Sequence, residues 1–280
     1  MKLYRNIKTR HGNINLDKKT VVMGILNVTP DSFSDGGKYD QHDRAVQHAI
    51  AMERAGADII DIGGESTRPG HEPVSEEEEI ARVIPIIKKI REHVSVPISI
   101  DTFKAETAKQ AISAGADIIN DIWGAKREPE IAEVAATHKV PIILMHNRTD
   151  HVYTSLIENV LDDLRESINI ALSKGVLQEQ IILDPGIGFA KNAVQNMEVI
   201  RNLEQLLTLD YPLLLGTSRK SIIGKTLDLP TDQRDVGTGA TTCFGITKGV
   251  DIVRVHNVEM TVQLTKMMDA MIGKGGKVDG

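Results

Sequence analysis

Polar residues end most of the short apolar runs of this chain, and their types could bind a small ligand. Carboxylates or amides follow branched apolar residues at Asn27, Asp61, Asp101, Asn120 and Asp184. A carboxylate pairs in a two-pronged way with a planar N–H/NH2 edge, so this set suits a nitrogen heterocycle. One Asp or Asn after a strand is commonly only a helix cap, but several buried polar ends would each cost about 1–3 kcal/mol if unsatisfied. The pattern therefore favours a ligand site.

Cations follow the later apolar runs. Arg219 and Lys220 come shortly after Gly216, and the last run carries Arg254 and His256. In a chain of net charge −6 such a group predicts a local pocket for an anion. No closely spaced histidine pair ends a strand, and no Ser–His nucleophile elbow occurs, so metal-dependent and serine hydrolysis are disfavoured. The sequence thus predicts a heterocycle site beside an anion site.

Repeated units indicate the elements that position these residues. Residues 55–64, 114–122 and 248–256 each combine a glycine, an aspartate two residues later and a short apolar strand. A second strand type follows proline, at residues 96–101, 140–146 and 211–216. Residues 21–27 and 181–184 complete eight predicted strands, most of them separated by helical patterns. This alternation predicts a (β/α)8 TIM barrel of one domain, residues 1–280, whose strand ends meet at one mouth. We expect residues 1–20 to form a hairpin or cap over the barrel bottom and residues 273–280 to be a flexible tail.

Composition limits the remaining possibilities. Hydrophobic residues make up 41% of the chain and aromatics only 3%, which predicts an aliphatic core. The negative charge argues against nucleic-acid partners, and no apolar run approaches the roughly 20 residues that span a bilayer. Residues 1–20 lack the apolar stretch of a signal peptide, so we expect a cytoplasmic protein without a membrane partner. Cys243, the single cysteine, is expected to be buried, and Glu76–Glu79 is expected to begin a solvated helix capped by Ser75.

Two long motifs connect this pattern to a known family. Residues 27–37 read NVTPDSFSDGG, and residues 56–70 read GADIIDIGGESTRPG. Both resemble signature blocks of the dihydropteroate synthases, and the resemblance spans roughly residues 20 to 270. The shorter matching blocks are SIDT at 99–102, NDI at 120–122, DPGIGF at 184–189, GTSRKS at 216–221 and RVH at 254–256.

The resemblance implies a reaction. The family joins 4-aminobenzoate to 6-hydroxymethyl-7,8-dihydropterin diphosphate and releases diphosphate and 7,8-dihydropteroate. It further implies Mg2+ as cofactor, these two small molecules as substrates, inhibition by sulfonamides, and a homodimer.

The resemblance also implies a role for each site residue. The pterin would be bound by Asp101, Asn120, Asp184 and Lys220, with Asp184 taking the N3–H/2-amino edge. Arg254 would pack on the pterin face and hold diphosphate together with His256 and Asn27, and Asn27 would also bind the metal. The aminobenzoate site would include Phe189, Lys220 and Ser221, with two mobile loops that carry Phe33, Asp35, Thr67, Arg68 and Pro69. Catalysis would depend on Asp101, Lys220, Asp35 and Arg68.

Two other functions stay open at this point. A pterin-dependent methyltransferase barrel would share the pterin pocket but would not need the diphosphate site or the Ser-Thr-Arg-Pro loop. A pterin-binding paralogue without catalysis would be expected to lack loop residues such as Asp35 and Arg68, which are present here.

Overall fold

Strands and helices alternate along the chain in the computed structural model, which describes residues 4–28, 38–65 and 74–275. The strands are β1 Asn6–Thr9, β2 Gly12–Asn15, β3 Val21–Asn27, β4 Ile59–Gly63, β5 Ile98–Asp101, β6 Ile118–Asp121, β7 Ile142–Met145, β8 Ile181–Asp184, β9 Leu214–Leu215 and β10 Ile252–Val255. The helices are α1 Lys38–Arg54, α2 Glu76–Arg91, α3 Ala105–Ala114, α4 Glu130–His138, α5 Leu156–Ser173, α6 Ala193–Arg201, α7 Leu203–Leu206, α8 Ser221–Leu227, α9 Asp235–Thr247 and α10 Val258–Ile272.

Eight parallel strands form the predicted barrel. They are hydrogen-bonded in the order β8-β7-β6-β5-β4-β3-β10-β9, and the two outer strands of this order meet at a parallel bridge between Leu183 and Leu213. All eight strands expected from the sequence are present, because each apolar run between helices can be buried on both faces only inside such a sheet. Their carboxyl ends therefore share one mouth.

The barrel interior has an apolar floor and a polar rim. Ile59, Ile118, Ile182, Leu214 and Ile252 belong to one buried cluster inside the barrel. Because strand side chains repeat every two residues, the next inward position on each strand is two residues later. Those positions hold Asp61, Asn120, Asp184, Gly216 and Arg254. The period of the strands thus places the polar side chains directly above a dry floor.

The amino-terminal hairpin covers the other end of the barrel. Strands β1 and β2 pair antiparallel, and their Ile7 and Ile14 join the same interior cluster together with Leu16. The aspartates of the sequence repeat, Asp58, Asp117 and Asp251, bind side chains of this amino-terminal segment. Lys19 contacts Asp58 at 2.5 Å, His11 contacts Asp117 at 2.8 Å, and Arg5 donates to Asp251 at 2.7 Å.

The same three aspartates explain the sequence repeat. Each carboxylate accepts a backbone N–H from the start of a neighbouring strand, at 3.0 Å, from Val22, Ile98 and Leu213 respectively. Such N–H groups lie at the barrel bottom and need an acceptor when they are buried. The repeat is therefore a structural device of the barrel floor, distant from the mouth.

Two expectations about side chains are wrong. Ser75 does cap α2, accepting from the backbone N–H of Glu78, but Glu79 is only 1% exposed and is therefore not part of a solvated face. Its carboxylate turns inward because Lys104 Nζ lies 2.8 Å away. Cys243 is half-buried, whereas the sequence predicts full burial, because it lies on α9, whose outer side faces solvent.

Two further observations concern the whole chain. Residues Gly273–Gly275 of the predicted tail are described, and Gly273 ends α10 in the left-handed conformation, with the Lys274 N–H bonded to the Asp269 carbonyl. Residues 276–280 lie outside the described residues, so the flexible tail stays a prediction.

Within the described ranges, no helix combines the length and apolarity needed to cross a membrane.

Candidate active site

The guanidinium of Arg254 organises the barrel mouth. Its Nε lies 2.6 Å from Oδ2 of Asp61, and its Nη2 lies 2.5 Å from Oδ2 of Asp101. Burial by itself lowers the pKa of Arg254, but the two carboxylates outweigh it and raise that pKa above its ordinary value. Arg254 therefore stays charged inside the barrel. Asn120 adds a bond from Nδ2 to Asp61 Oδ2 at 3.2 Å.

Asp61 is the residue that the sequence-based site assignment missed. The sequence shows Asp61 as a polar strand end but does not indicate its role, because Arg254, its partner, is 193 positions away in sequence. A usable signal was present: Asp61 is a carboxylate within an otherwise apolar strand, two residues after Ile59, so it must point into the barrel. Its side chain is fully buried, and a buried carboxylate needs a cation.

Buried polar atoms without protein partners mark the open part of the site. Among the described residues, four buried side-chain atoms have no hydrogen-bond partner: Oγ of Ser167 on the helix α5, and, together on the neighbouring strands β4 and β5, Oδ1 of Asp61, Oγ of Ser99 and Oδ1 of Asp101. Ser99 pairs in register with Asp61, and Asp101 is two residues further along β5 on the same face. Unsatisfied buried acceptors of this kind cost about 1–3 kcal/mol each. Their clustering indicates a place where a polar ligand is bound.

Asp184 and Lys220 form the second half of the mouth. Asp184 Oδ1 accepts the Gly186 N–H at 2.7 Å. Burial raises the pKa of Asp184, and the positive charge of Lys220 opposes that rise. Burial lowers the pKa of Lys220 to about 8, against the attraction of Asp184. Lys220 Nζ also donates to the Ile187 carbonyl and lies 4.8 Å from the centre of the Phe189 ring.

Gly216 leaves room between these groups. A side chain at this position would have Arg254 Cβ and Asp184 Oδ2 as its nearest neighbours, both at 3.9 Å. The missing side chain therefore preserves an opening between a cation and a carboxylate. An opening lined in this way is suited to a flat, polar ring.

Burial raises the pKa of Asp101 to about 7, because the charged form loses water. Arg254 lowers this pKa, whereas Asp61, Glu79 and Asp121 raise it. A carboxyl group with a pKa near neutrality in a cleft is a common property of functional sites.

The remaining predicted site residues are distributed as follows. Asn27 ends β3 at the mouth and has its Oδ1 close to Gly63, near the Asp101 carboxylate. His256 follows β10 and bonds to Ser218, while Ser221 begins α8 and is exposed. The sequence-predicted residues that lie outside the described ranges are Phe33, Asp35, Thr67, Arg68 and Pro69.

The sequence predicts Arg219 in the anion pocket, but in the structure its side chain is paired with a carboxylate. Its guanidinium binds Asp235 with both prongs, from Nε to Oδ1 at 2.6 Å and from Nη2 to Oδ2 at 2.8 Å. Arg219 has a positive φ of 57°, and its side chain binds Asp235 while that of Lys220 contacts Ile187 and Phe189. Because Arg219 and Lys220 are adjacent in sequence, the sequence alone could not show that only Lys220 lies beside Asp184.

Comparison with known proteins gives one consistent result. Residues 23–256 match the family described as "Pterin binding enzyme". The dihydropteroate synthase of Bacillus subtilis is 58% identical over 96% of this chain and 95% of its own length. A solved dihydropteroate synthase of Clostridium difficile, in the presence of pteroic acid, is 50% identical with a TM-score of 0.89, covering 91% of this chain and 97% of that one. The Xanthomonas albilineans enzyme with 4-aminobenzoic acid is 37% identical with a TM-score of 0.92, covering 96% and 99%.

These three relatives are all named dihydropteroate synthase. None of the three is named as a pterin-dependent methyltransferase or as a pterin-binding protein without catalysis. The match also covers the region of both long motifs and of the strand-end residues. From its barrel, its polar mouth and these similarities, the chain belongs to the dihydropteroate synthase family of transferases.

Proposed function

We propose that this chain condenses 6-hydroxymethyl-7,8-dihydropterin diphosphate with 4-aminobenzoate to give 7,8-dihydropteroate and diphosphate. The observation that carries the proposal is the mouth built from Arg254 between Asp61 and Asp101, facing Asp184 and Lys220. Carboxylates for a heterocycle and cations for an anion lie together there. The related structures that contain pteroic acid and 4-aminobenzoic acid support the same assignment.

The pterin is recognised by the carboxylates and amide of the mouth. Asp184 accepts from the N3–H and 2-amino group, because it is held by Gly186 on one oxygen and faces the Gly216 opening with the other. Asn120 and Asp101 bind the rest of the ring edge, above the apolar floor that excludes water. Arg254 packs against the ring from the Gly216 side. This arrangement orients the CH2–O bond toward the cationic residues.

The reaction breaks the CH2–O bond and forms a CH2–N bond. The electron pair of the C–O bond leaves with diphosphate, and the lone pair of the arylamine forms the new bond, after which the amine loses one proton. Arg254 and His256 stabilise the charge of the leaving group. The anionic form of Asp101 stabilises positive charge that develops on the electron-rich dihydropterin. Lys220 and Phe189, which contact each other, orient the arylamine, and Ser221 binds its carboxylate.

Mg2+ is the metal that we propose for this site, with Asn27 as its protein ligand. Magnesium prefers oxygen ligands and commonly takes one or two from the protein and the others from water and substrate phosphates. The amide oxygen of Asn27 lies beside Gly63 at the mouth, as does the Asp101 carboxylate, and therefore fits this role. The described residues contain no group of three or more His, Cys, Asp or Glu side chains that could hold a metal without substrate. When bound with diphosphate, the ion would neutralise leaving-group charge.

By the family resemblance, the proposed aminobenzoate site is completed by Phe33, Asp35, Thr67, Arg68 and Pro69.

Two further proposals concern the oligomeric state and the cellular compartment of the protein. We propose a homodimer, for which exposed apolar side chains on α9 and α10, among them Val236, Met267 and Met271, offer a surface. We propose the cytoplasm as its compartment, and the single cysteine is compatible with a reducing environment. Sedimentation and cell fractionation test these two points.

One assay tests the proposed reaction. Diphosphate release is measured with the pterin diphosphate alone, with 4-aminobenzoate alone, and with both, in the presence of Mg2+. We expect release only with both substrates and Mg2+, accompanied by equimolar dihydropteroate, and competition by sulfonamides against 4-aminobenzoate. Release that is independent of 4-aminobenzoate would mean hydrolysis and would contradict the proposal.

A further inference from the structure

Asp235, at the start of α9, connects the loop after β9 to the turn after β10. Its carboxylate accepts both prongs of the Arg219 guanidinium, at 2.6 and 2.8 Å, and also the side-chain amide of Asn257 at 2.9 Å. Charge-assisted, two-pronged bonds of this kind fix orientation as well as distance. Both side chains are partly buried, at 30% and 22% exposure for Arg219 and Asp235, so water screens the pair only in part.

The backbone of Arg219 is fixed by the same region. Its N–H donates to Thr238 Oγ1 at 3.0 Å, and its carbonyl accepts from Arg234 Nη1 at 3.1 Å. A left-handed residue without such support would be strained, because φ near +57° is unfavourable for residues with a side chain. The α9 region therefore determines the path of the loop on both sides of Arg219.

The residues held by Asp235 each follow a residue of the proposed diphosphate site. Ser218 precedes Arg219, and His256 precedes Asn257. Ser218 Oγ accepts the backbone N–H of His256 at 3.1 Å and lies 2.8 Å from His256 Nδ1. Since Oγ accepts from the backbone, its own proton can be donated to Nδ1. With the bond in this direction, a neutral His256 ring carries its proton on Nε2.

We infer that Asp235 is a positioning residue for the anion half of the active site. By holding Arg219 and Asn257 at one carboxylate, it fixes the separation of the β9 loop and the β10 turn, and hence the Ser218–His256 bond. His256 then presents its Nε2 proton in one orientation, and Lys220, which follows Arg219, keeps its place beside Phe189. This inference rests on the proposed function, because it takes diphosphate as the group that His256 binds.

Asp235 acts through Arg219 and Asn257 and does not itself bind substrate, so its removal has a selective effect. The pterin ring is held by Asp184, Asn120 and Asp101, which have no hydrogen bond to Asp235. Loss of the carboxylate should therefore weaken binding of the diphosphate ester and leave binding of the pterin alcohol unchanged. A general loss of folding would affect both ligands equally.

The test compares Asp235→Asn with wild type and with Asp232→Asn. Asp232 is an exposed acid near Arg219 and is a matched control for charge. Arg219→Lys keeps the positive charge but loses the two-pronged bond, and it serves if Asp235→Asn folds poorly. The measurements are kcat and KM for the pterin diphosphate, calorimetric affinity for the pterin alcohol, and 15N chemical shifts of the His256 ring. The His256 signals are assigned by their loss in His256→Ala.

For Asp235→Asn and Arg219→Lys we expect KM for the pterin diphosphate to rise about tenfold, the size of effect known for residues that orient the ligands of metal sites. Affinity for the alcohol should stay within about twofold, and the 15N shifts should move from a single Nε2–H tautomer toward a mixture. Unchanged shifts, or equal losses for both ligands, would overturn the inference. An inactive wild type would instead overturn the proposed function, so the two failures are distinguishable.

Discussion

Arg254 Nε and Asp61 Oδ2 lie 2.6 Å apart across the barrel interior, between strands that are separated by β3 alone. Asp61 is fully buried and Arg254 is 17% exposed, so each places its charge beside an opposite charge inside the barrel. The pair sets the direction of the guanidinium that also contacts Asp101. The interaction energy between Asp61 and Arg254 can therefore be measured from the effects of their substitution on ligand affinity.

A double-mutant cycle with Asp61→Asn and Arg254→Gln tests this coupling. Residues in direct contact commonly show interaction energies of about 0.5–3 kcal/mol, and we expect the affinity for the pterin diphosphate to show at least about 1 kcal/mol. The control cycle pairs Arg254→Gln with Asp228→Asn, an exposed carboxylate on the C-terminal side of α8. Strict additivity in both cycles would remove Asp61 from the site.

Asp184→Asn tests recognition of the pterin edge. The substitution preserves shape but presents an N–H donor to the donors of the ring. We expect pterin binding to weaken by about 1.5–3 kcal/mol, the range of a hydrogen bond to a charged group. Calorimetry with the pterin alcohol measures this, with Asp228→Asn as the exposed control. Wild-type affinity in Asp184→Asn would show that the ring edge lies elsewhere.

His256→Ala tests the anion site. Because His256 follows β10, two residues after Arg254, its removal should reduce affinity for the pterin diphosphate more than affinity for the alcohol. We expect a difference of about 1 kcal/mol or more, as for the loss of one hydrogen bond to an anion. His138→Ala, at the exposed end of α4, provides the control. Equal losses for the two ligands would place His256 against the ring.

The pH profile of kcat/KM should be bell-shaped. Burial raises the pKa of Asp101 to about 7, so this carboxylate is protonated and neutral below that pH. Burial lowers the pKa of Lys220 to about 8, so this amine is neutral above it. Since kcat/KM reports groups of the free enzyme, we expect it to fall below about pH 7 and above about pH 8. Lys220→Arg should retain the acidic limb and lose the basic one, and a flat profile between pH 6 and 9 would contradict both assignments.

Lys104→Met tests the buried ion cluster beside the mouth. Lys104 Nζ lies 2.8 Å from both Glu65 Oε2 and Glu79 Oε2, and Glu79 is 1% exposed. Removing one partner of a buried ion pair commonly costs about 3–5 kcal/mol. Urea unfolding at pH 8 should show a loss of that size, whereas Lys109→Met, which breaks an exposed pair with Glu106, should change stability by less than about 1 kcal/mol.

The pH dependence of this loss has a definite sign. Burial raises the pKa of Glu79 above its ordinary value, and without Lys104 nothing in this pair opposes that rise. The folded variant then keeps a proton that the unfolded chain releases, so stability falls as pH rises above the ordinary carboxyl range. The cost of Lys104→Met should therefore be smaller at pH 5 than at pH 8. A cost that is independent of pH would mean that Glu79 finds another cation.

The sequence determined the barrel and most of its mouth, because strand period and strand ends are local properties. Apolar runs between helical segments placed eight strands, and the two-residue repeat carried Asp101, Asn120 and Asp184 to the polar rim. Tertiary structure alone decided which charges meet. Asp61 with Arg254, Arg219 with Asp235, and Glu79 with Lys104 are pairs whose members are far apart in the chain, by 193, 16 and 25 positions. Burial makes such pairs obligatory, but only the closed barrel determines which partner is within reach.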